Sequence, residues 1–337
     1  METRFAAIAS SSPFLSSLYY MVVNTAFRRE QQVILAGRKQ FESDKNCPAD
    51  SSSLLRRNIH RLEKGLISRP RRDVFALQYI RETVSVYEKI TKRHKSHGIP
   101  EIAWANDVLN QYFRVAESHP LIDELRAKFM ALPNIALGSP PDRADCRAPY
   151  VRQLGDPAVR YEQMLQLSRQ RRSIRWFRQK TVPRELLLKA LAVATHSPSA
   201  CNRQPFQFRI FDEPEIVRQV AQLPAGTVGY EHNFPCVVVV VGRQRYYFDE
   251  RDRHLIYIDG SLAAMSFVLA LETLGLSSCC INWPDIEERE RKAAILLKLE
   301  PDERPVMFIA VGYPDPDGLV AYSEKRSPEE LSRFNFE

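Results

Sequence analysis

Residues 171–175 read Arg171-Arg172-Ser173-Ile174-Arg175, three guanidiniums and a hydroxyl within five positions. A planar guanidinium donates two parallel hydrogen bonds, which suits a phosphate. A solvated basic face would carry the same residues. A second stretch, Ser197-Pro198-Ser199-Ala200-Cys201-Asn202-Arg203-Gln204-Pro205-Phe206, sets donors and acceptors between stiffening prolines. That composition suits a planar heterocycle with alternating donors and acceptors, and equally an ordinary helix-to-strand turn. A third, Leu274-Gly275-Leu276-Ser277-Ser278-Cys279-Cys280-Ile281-Asn282-Trp283, holds two adjacent cysteines. Neighbouring cysteines close only a strained ring and alternate across a strand, so a redox pair is disfavoured. The fourth is Gly312-Tyr313-Pro314, followed by Lys325-Arg326-Ser327-Pro328. No side chain stands out as a catalytic acid or base. His196 stands just before the second stretch and Cys201 within it, and a structural role is the better reading of His196.

These groups need elements to hold them. Residues 1–160 read as mostly helical: Leu77, Ile80, Val84 and Tyr87 recur at helical spacing, and Val108, Leu109, Tyr112, Phe113 and Ala116 mark another helix that His119-Pro120 ends. Prolines and glycines over about 133–157 suggest a linker. From 161 the pattern is mixed: a helix over 161–170, and another with Pro183 in its first turn running to about Thr195. A strand is expected over 206–211, a buried strand over 237–241, and short strands over 279–281 and 306–311. Residues 261–274 are apolar nearly all round, which marks a helix buried in a core or a subunit interface. Gly275 is placed to cap it.

The order and spacing of the four stretches resemble the nitroreductase family of flavin mononucleotide (FMN) enzymes over roughly residues 168–330. That family opens with R-R-S-x-R, continues with S-P-S-x-x-N-x-Q-P-[WF], ends a buried helix in L-G-L, and closes with G-Y-P and a late arginine. The resemblance implies an α+β fold, a mainly antiparallel central sheet flanked by helices, with a helical N-terminal region (1–160) added before the FMN-binding domain (161–337). It implies FMN phosphate and ribityl contacts from Arg171, Arg172, Ser173 and Arg175, with Arg326 also on the phosphate. Pro198, Ser199 and Ala200 would pack on the flavin from the partner subunit of a homodimer. Asn202 and Gln204 would bind flavin or hold the loop. Cys280, Ile281 and Asn282 would present backbone groups to the flavin. Two departures stand out. Cys280 replaces a common proline, and Trp283 replaces a common glycine, where it would narrow the pocket or stack on a substrate.

The implied activity is hydride transfer from NADH or NADPH through FMN to a small organic acceptor, in a ping-pong scheme. Two alternatives stay open. One is a specialised FMN-dependent modification (dehalogenation, heterocycle oxidation or flavin fragmentation) in polysaccharide or secondary metabolism. The other is a non-enzymatic flavin-binding scaffold. Residues 58–66, Asn58-Ile59-His60-Arg61-Leu62-Glu63-Lys64-Gly65-Leu66, resemble extensions of nitroreductase-like proteins found beside bacterial polysaccharide genes. A solvated helix face explains His60 and Glu63 more simply.

The whole chain sets outer bounds. Its 337 residues are 44% hydrophobic and 26% charged, enough for a sizeable core. A net charge of +7 favours anionic ligands. No recognised nucleic-acid module is present, so no nucleic-acid partner is expected. Six irregularly spaced cysteines without a C-x-x-C pair predict neither zinc nor a disulfide framework, and fit a reducing, cytoplasmic setting. Residues 5–27 carry no charge, but serines and Pro13 dilute the apolar run. A docked or interfacial helix is expected there, with peripheral membrane contact left open.

Overall fold

Five consecutive valines fill residues 237–241. β-branched side chains pack well on a pleated surface, and an unbroken run of them demands cover on both faces. The computed structural model, which describes residues 6, 8–46, 53–93, 100–132, 146–152 and 155–335, provides that cover. Four strands, β1 (Phe206–Phe211), β2 (Cys236–Arg243), β3 (Ser277–Asn282) and β4 (Glu303–Gly312), form one antiparallel sheet in the order β1-β2-β4-β3.

Among the described residues, twelve α-helices with defined bounds precede, flank or follow the sheet: α1 (Pro13–Val22), α2 (Arg28–Asn46), α3 (Ser53–Ile67), α4 (Ile80–Arg93), α5 (Pro100–Val115), α6 (Pro120–Met130), α7 (Tyr161–Gln170), α8 (Arg184–Ala194), α9 (Pro214–Ala221), α10 (Leu255–Thr273), α11 (Glu287–Leu296) and α12 (Pro328–Leu331). Val238, Val240, Ile309 and Val311 meet Leu187 and Ala190 of α8 and Ala264, Phe267 and Leu271 of α10. Val237, Val239, Phe308 and Ala310 meet Val217 and Val220 of α9 and Ala293 of α11. The fold is α+β, as expected. Pro183 stands one residue before α8, and β4 is longer than its apolar stretch suggested.

α10 begins earlier than its apolar pattern implied, and ten of its nineteen residues are buried. Residues 250–273 are long and apolar enough to cross a bilayer, yet half of that stretch is buried within the protein. What α10 leaves uncovered is one stripe, Ile258, Leu262 and Met265, spaced as neighbours on a single helix face. Gly275 closes the helix at φ +72°, and the Leu276 N–H reaches back to the Leu271 carbonyl at 3.0 Å. That six-to-one bond lets β3 start after only three intervening residues, 274–276.

The helices α3 to α6 build a separate cluster around Leu55, Ile59, Leu62, Leu109, Tyr112 and Phe129. Leu77 lies before α4 rather than on it. His60 and Glu63 are half-buried instead of solvated, and Glu63 accepts from the Trp104 indole at 2.9 Å. The N-terminal α1 leaves Phe14, Met21 and Val22 exposed. Most of the expected linker, residues 133–145 and 153–154, lies outside the described residues.

One buried polar knot braces the far side of the sheet. Glu290 accepts from the Trp283 indole at 2.7 Å and from Arg304 at 2.6 Å. Glu290→Gln keeps an acceptor but loses the charge. It is expected to lower stability by about 1–2 kcal/mol, read as a lower urea midpoint with an unchanged slope.

Candidate functional site

The segment after α7 runs along the outer edge of the sheet. Ser173 forms a parallel bridge with Ser278 of β3, and the Ile174 N–H donates to the Ser278 carbonyl at 3.0 Å. Phe177 bridges Pro314 just after β4, and Arg178 N–H donates to the Tyr313 carbonyl at 2.9 Å. Backbone pairing with the sheet therefore fixes where the guanidiniums project.

Arg171 is half-buried, and among the described residues no carboxylate hydrogen-bonds to it. It lies near enough to Glu272, at the C-terminal end of α10, to oppose the upward shift that burial gives that carboxyl. Arg171 and Arg175 both act on Cys279, whose thiol is pushed up by burial first and drawn back by them and by Ser173. Arg175 is exposed and stands 5.9 Å from the Tyr230 ring. Arg171, Ser173, Arg175 and β3 thus converge. Arg172 turns instead to the carbonyls of Ala321, at 2.6 Å, and Tyr322. Arg326 lies further along that same C-terminal segment, just before α12, and is engaged by Glu330 of that helix.

On β3, Cys280 and Asn282 are exposed while Cys279 and Ile281 are buried, so the adjacent cysteines occupy opposite faces. Beyond the Ser173 bridge, β3 is the last strand of the sheet, and its outward backbone groups are unpaired by β4. Trp283 does not enter this surface. It is 7% exposed, packed on Phe308 at 5.0 Å between ring centroids and tied to Glu290. The expectation that it narrows a pocket or stacks on a substrate is therefore wrong: the indole ring buries its apolar body and needs a partner for its N–H, and the core supplies both.

The loop over 198–204 sits elsewhere, against the N-terminal half of α10. Ser197 donates to Ser266 at 2.8 Å, and the Ala200 N–H donates to Asp259 at 2.9 Å. Ser199 accepts from the Gln204 N–H at 3.1 Å, and Gln204 donates to the Asn202 side chain at 2.8 Å. Cys201, Asn202 and Gln204 all have positive φ, at 54°, 51° and 51°. L-residues adopt that region at a cost, so the surroundings must hold the loop in shape. Pro198 is exposed at its rim.

Asp259 is the main restraint, and motif reading missed it. It is 3% exposed and also accepts from the Tyr247 hydroxyl at 3.2 Å. Its signal was available: it is the one acid in the first thirteen residues of a helix otherwise apolar on nearly every side. Arg203 was passed over as well. It is 5% exposed, lies 4.7 Å over the Tyr247 ring and pairs with Asp252 at 3.3 Å.

Comparison with known proteins finds similarity over the segment that holds these groupings. Residues 168–231 and 224–313 match the nitroreductase family. An iodotyrosine deiodinase of Thermotoga neapolitana is 28% identical over 174 residues, 44% of this chain and 87% of the relative. Among solved structures, an FMN-dependent nitroreductase from Clostridium difficile R20291 is 24% identical, with a TM-score of 0.44 over 51% of this chain and 100% of its own. A nitroreductase family protein from Streptococcus pneumoniae TIGR4 is 22% identical, with a TM-score of 0.44 over 51% of this chain and 100% of its own. Over residues 168–313, somewhat less than half of its length, the chain is similar to the nitroreductase family.

Proposed function

We propose that the chain is an FMN-dependent oxidoreductase that takes hydride from NADH or NADPH and passes it to a small organic acceptor in two half-reactions. The observation that carries this reading is the convergence of Arg171, Ser173 and Arg175 on the outer edge of β3. Among the described residues no carboxylate hydrogen-bonds to Arg171, and the Ser278 hydroxyl is buried without a hydrogen bond. Cationic donors and an unspent hydroxyl beside an edge strand fit a phosphate with a polar chain leading from it.

When bound, the flavin supplies the hydride-accepting chemistry. The protein's own part is positioning. Arg171 and Arg175 would hold the phosphate, Ser173 and Ser278 would meet the polar chain, and the backbone of Cys280, Ile281 and Asn282 would serve the ring. Arg326 joins the phosphate group by releasing Glu330.

The loop carrying Pro198, Ser199 and Ala200 is anchored at Asp259, while Arg171 lies by Glu272. Those two positions are thirteen residues apart on α10, about 20 Å of helix rise. In a two-fold dimer formed on the uncovered stripe Ile258, Leu262 and Met265, the loop of one protomer reaches the phosphate motif of its partner. A contiguous apolar stripe on a core helix favours that assembly.

Arg171→Ala is expected to weaken FMN at least tenfold, about 1.4 kcal/mol or more, the worth of a charge-assisted bond. Titration of protein with FMN, followed by flavin absorbance and anaerobic bleaching with NADPH or NADH, reads it. A chain that never takes up FMN overturns the proposal.

A second reading is favoured by the likeness to an iodotyrosine deiodinase: reductive removal of halide from an aromatic ring. Iodide release from 3-iodotyrosine under anaerobic reductant distinguishes it from turnover of a nitroarene or quinone.

A further inference from the structure

α3 docks on the 198–204 loop and brings more cations than the surroundings neutralise. Arg56 donates to the Asn202 carbonyl at 3.0 Å and pairs with Glu101 at 3.2 Å, so its charge is matched. Arg57 and Arg61 are not matched. They stand one helical turn apart on the same face and repel. Arg57 lies 4.6 Å over the Phe248 ring, and Arg61 lies 3.6 Å over Tyr79. Both are half-buried.

The nearby carboxylates are already engaged. Glu82 accepts from Asn58 at 3.0 Å, Glu63 from Trp104 at 2.9 Å, and Asp252 pairs with Arg203 at 3.3 Å. Among the described residues, no carboxylate pairs with Arg57 or Arg61. Burial, then Arg61, then Arg203 push the Arg57 guanidinium down from its ordinary range, and Cys201 and Glu82 offset them only in part. The buried Nε of Arg203 has no hydrogen-bond partner. Crowded, partly desolvated cations with a free donor raise the energy of the empty chain, and an oxyanion lowers it. Tyr79, which carries Arg61, also lines a cavity of about 570 Å³ together with Arg72, Val74 and Phe75. That is room for the organic body of a small ligand.

We propose that Arg57 and Arg61 form a recognition site for an oxyanion, carboxylate or phosphate, borne by the small molecule that exchanges electrons at the adjoining loop. The site rests on the proposed oxidoreductase reading and narrows its substrate class. Phe248 and Tyr79 each set a ring against one guanidinium, and Arg203 stands near enough to repel Arg57. The oxyanion belongs either to the acceptor or to the 2′-phosphate of NADPH.

The test uses the FMN-loaded full chain and the double variant Arg57→Met, Arg61→Met, which keeps the apolar stems. Inorganic pyrophosphate is titrated by calorimetry. Its dissociation constant is expected to rise at least tenfold in the variant. Without pyrophosphate, the variant is expected to melt at the wild-type temperature or above, because a repulsion has been removed; a drop assigns the arginines to structure and overturns the site. Kinetics then locate the oxyanion. A tenfold rise in the KM ratio of 4-nitrobenzoate to 4-nitrobenzyl alcohol places it on the acceptor, and a rise in the ratio of NADPH to NADH places it on the reductant. Equal pyrophosphate binding by both proteins, or binding by neither, overturns the proposal. Absence of turnover with every acceptor sinks the oxidoreductase reading alone, because the pyrophosphate titration still decides the site.

Discussion

Asp259→Ala is expected to cost about 3 kcal/mol of stability and to loosen FMN, because the half-buried Ala200 N–H and the buried Tyr247 hydroxyl both lose their acceptor. No other side chain takes over the Ala200 N–H. The strained backbone at Cys201, Asn202 and Gln204 then has less to hold it, and the loop relaxes. Under the proposed dimeric arrangement, FMN affinity falls by about tenfold or more. Asp259→Asn separates charge from hydrogen bonding. Both bonds end on one carboxylate oxygen, Oδ2, and the amide oxygen of asparagine accepts them as well. The asparagine variant should therefore keep the loop and most of the stability.

The pH dependence follows from the same site. Burial raises the Asp259 carboxyl above its ordinary range, with the Ala200 and Tyr247 bonds pulling it partly back. A raised folded value means that the native chain holds a proton the unfolded chain has released. Its contribution to stability is present below the ordinary carboxylate range and is lost as pH rises through the raised value. Glu272, also raised by burial, adds the same sign. Urea midpoints of wild type against Asp259→Asn should diverge across that interval, with the asparagine curve flatter. Parallel curves would contradict the assignment.

Gly37→Leu is expected to cost about 3 kcal/mol and to release the N-terminal helices from the sheet. A Cβ at Gly37 in α2 would lie 2.5 Å from Gln244 Cβ and 2.7 Å from its carbonyl carbon. Gln244 cannot yield: its N–H donates to the Asp302 carbonyl at 3.0 Å and its side chain to the Arg253 carbonyl at 2.8 Å. Even Gly37→Ala should destabilise, since a gain of about 1 kcal/mol in helix propensity is outweighed by backbone overlap. Limited proteolysis reads the result. Wild type should resist cleavage within α2, and the leucine variant should be cut there. Equal resistance of both would show that α2 docks by other means.

Much of the fold was legible because its signals are local. Five valines dictate a covered strand, and a glycine after an apolar helix dictates its end. The arginine motif was legible as a pattern of side chains that fit phosphate. Less was legible where a partner lies far along the chain. Asp259 gains its role only once Ala200 and Tyr247 fold against it, and Arg57 becomes a surplus charge only once α3 meets the loop over 198–204. Trp283 was misplaced because sequence position next to β3 does not say which face a side chain takes. The N–H of its indole ring and the acid at Glu290 settled that, seven residues apart.

The segment that carries Ser173 also closes a flank of the sheet. Without the Ser173 and Phe177 bridges, β3 and the end of β4 would present open peptide groups to any strand that drifted past. The same few residues thus serve as a ligand cradle and as a guard against strand-to-strand polymerisation. A lineage that no longer needed the cradle would still be held to keep the guard. Loss of binding could proceed through the guanidiniums one at a time, while the backbone course of residues 173–177 stayed under selection for solubility.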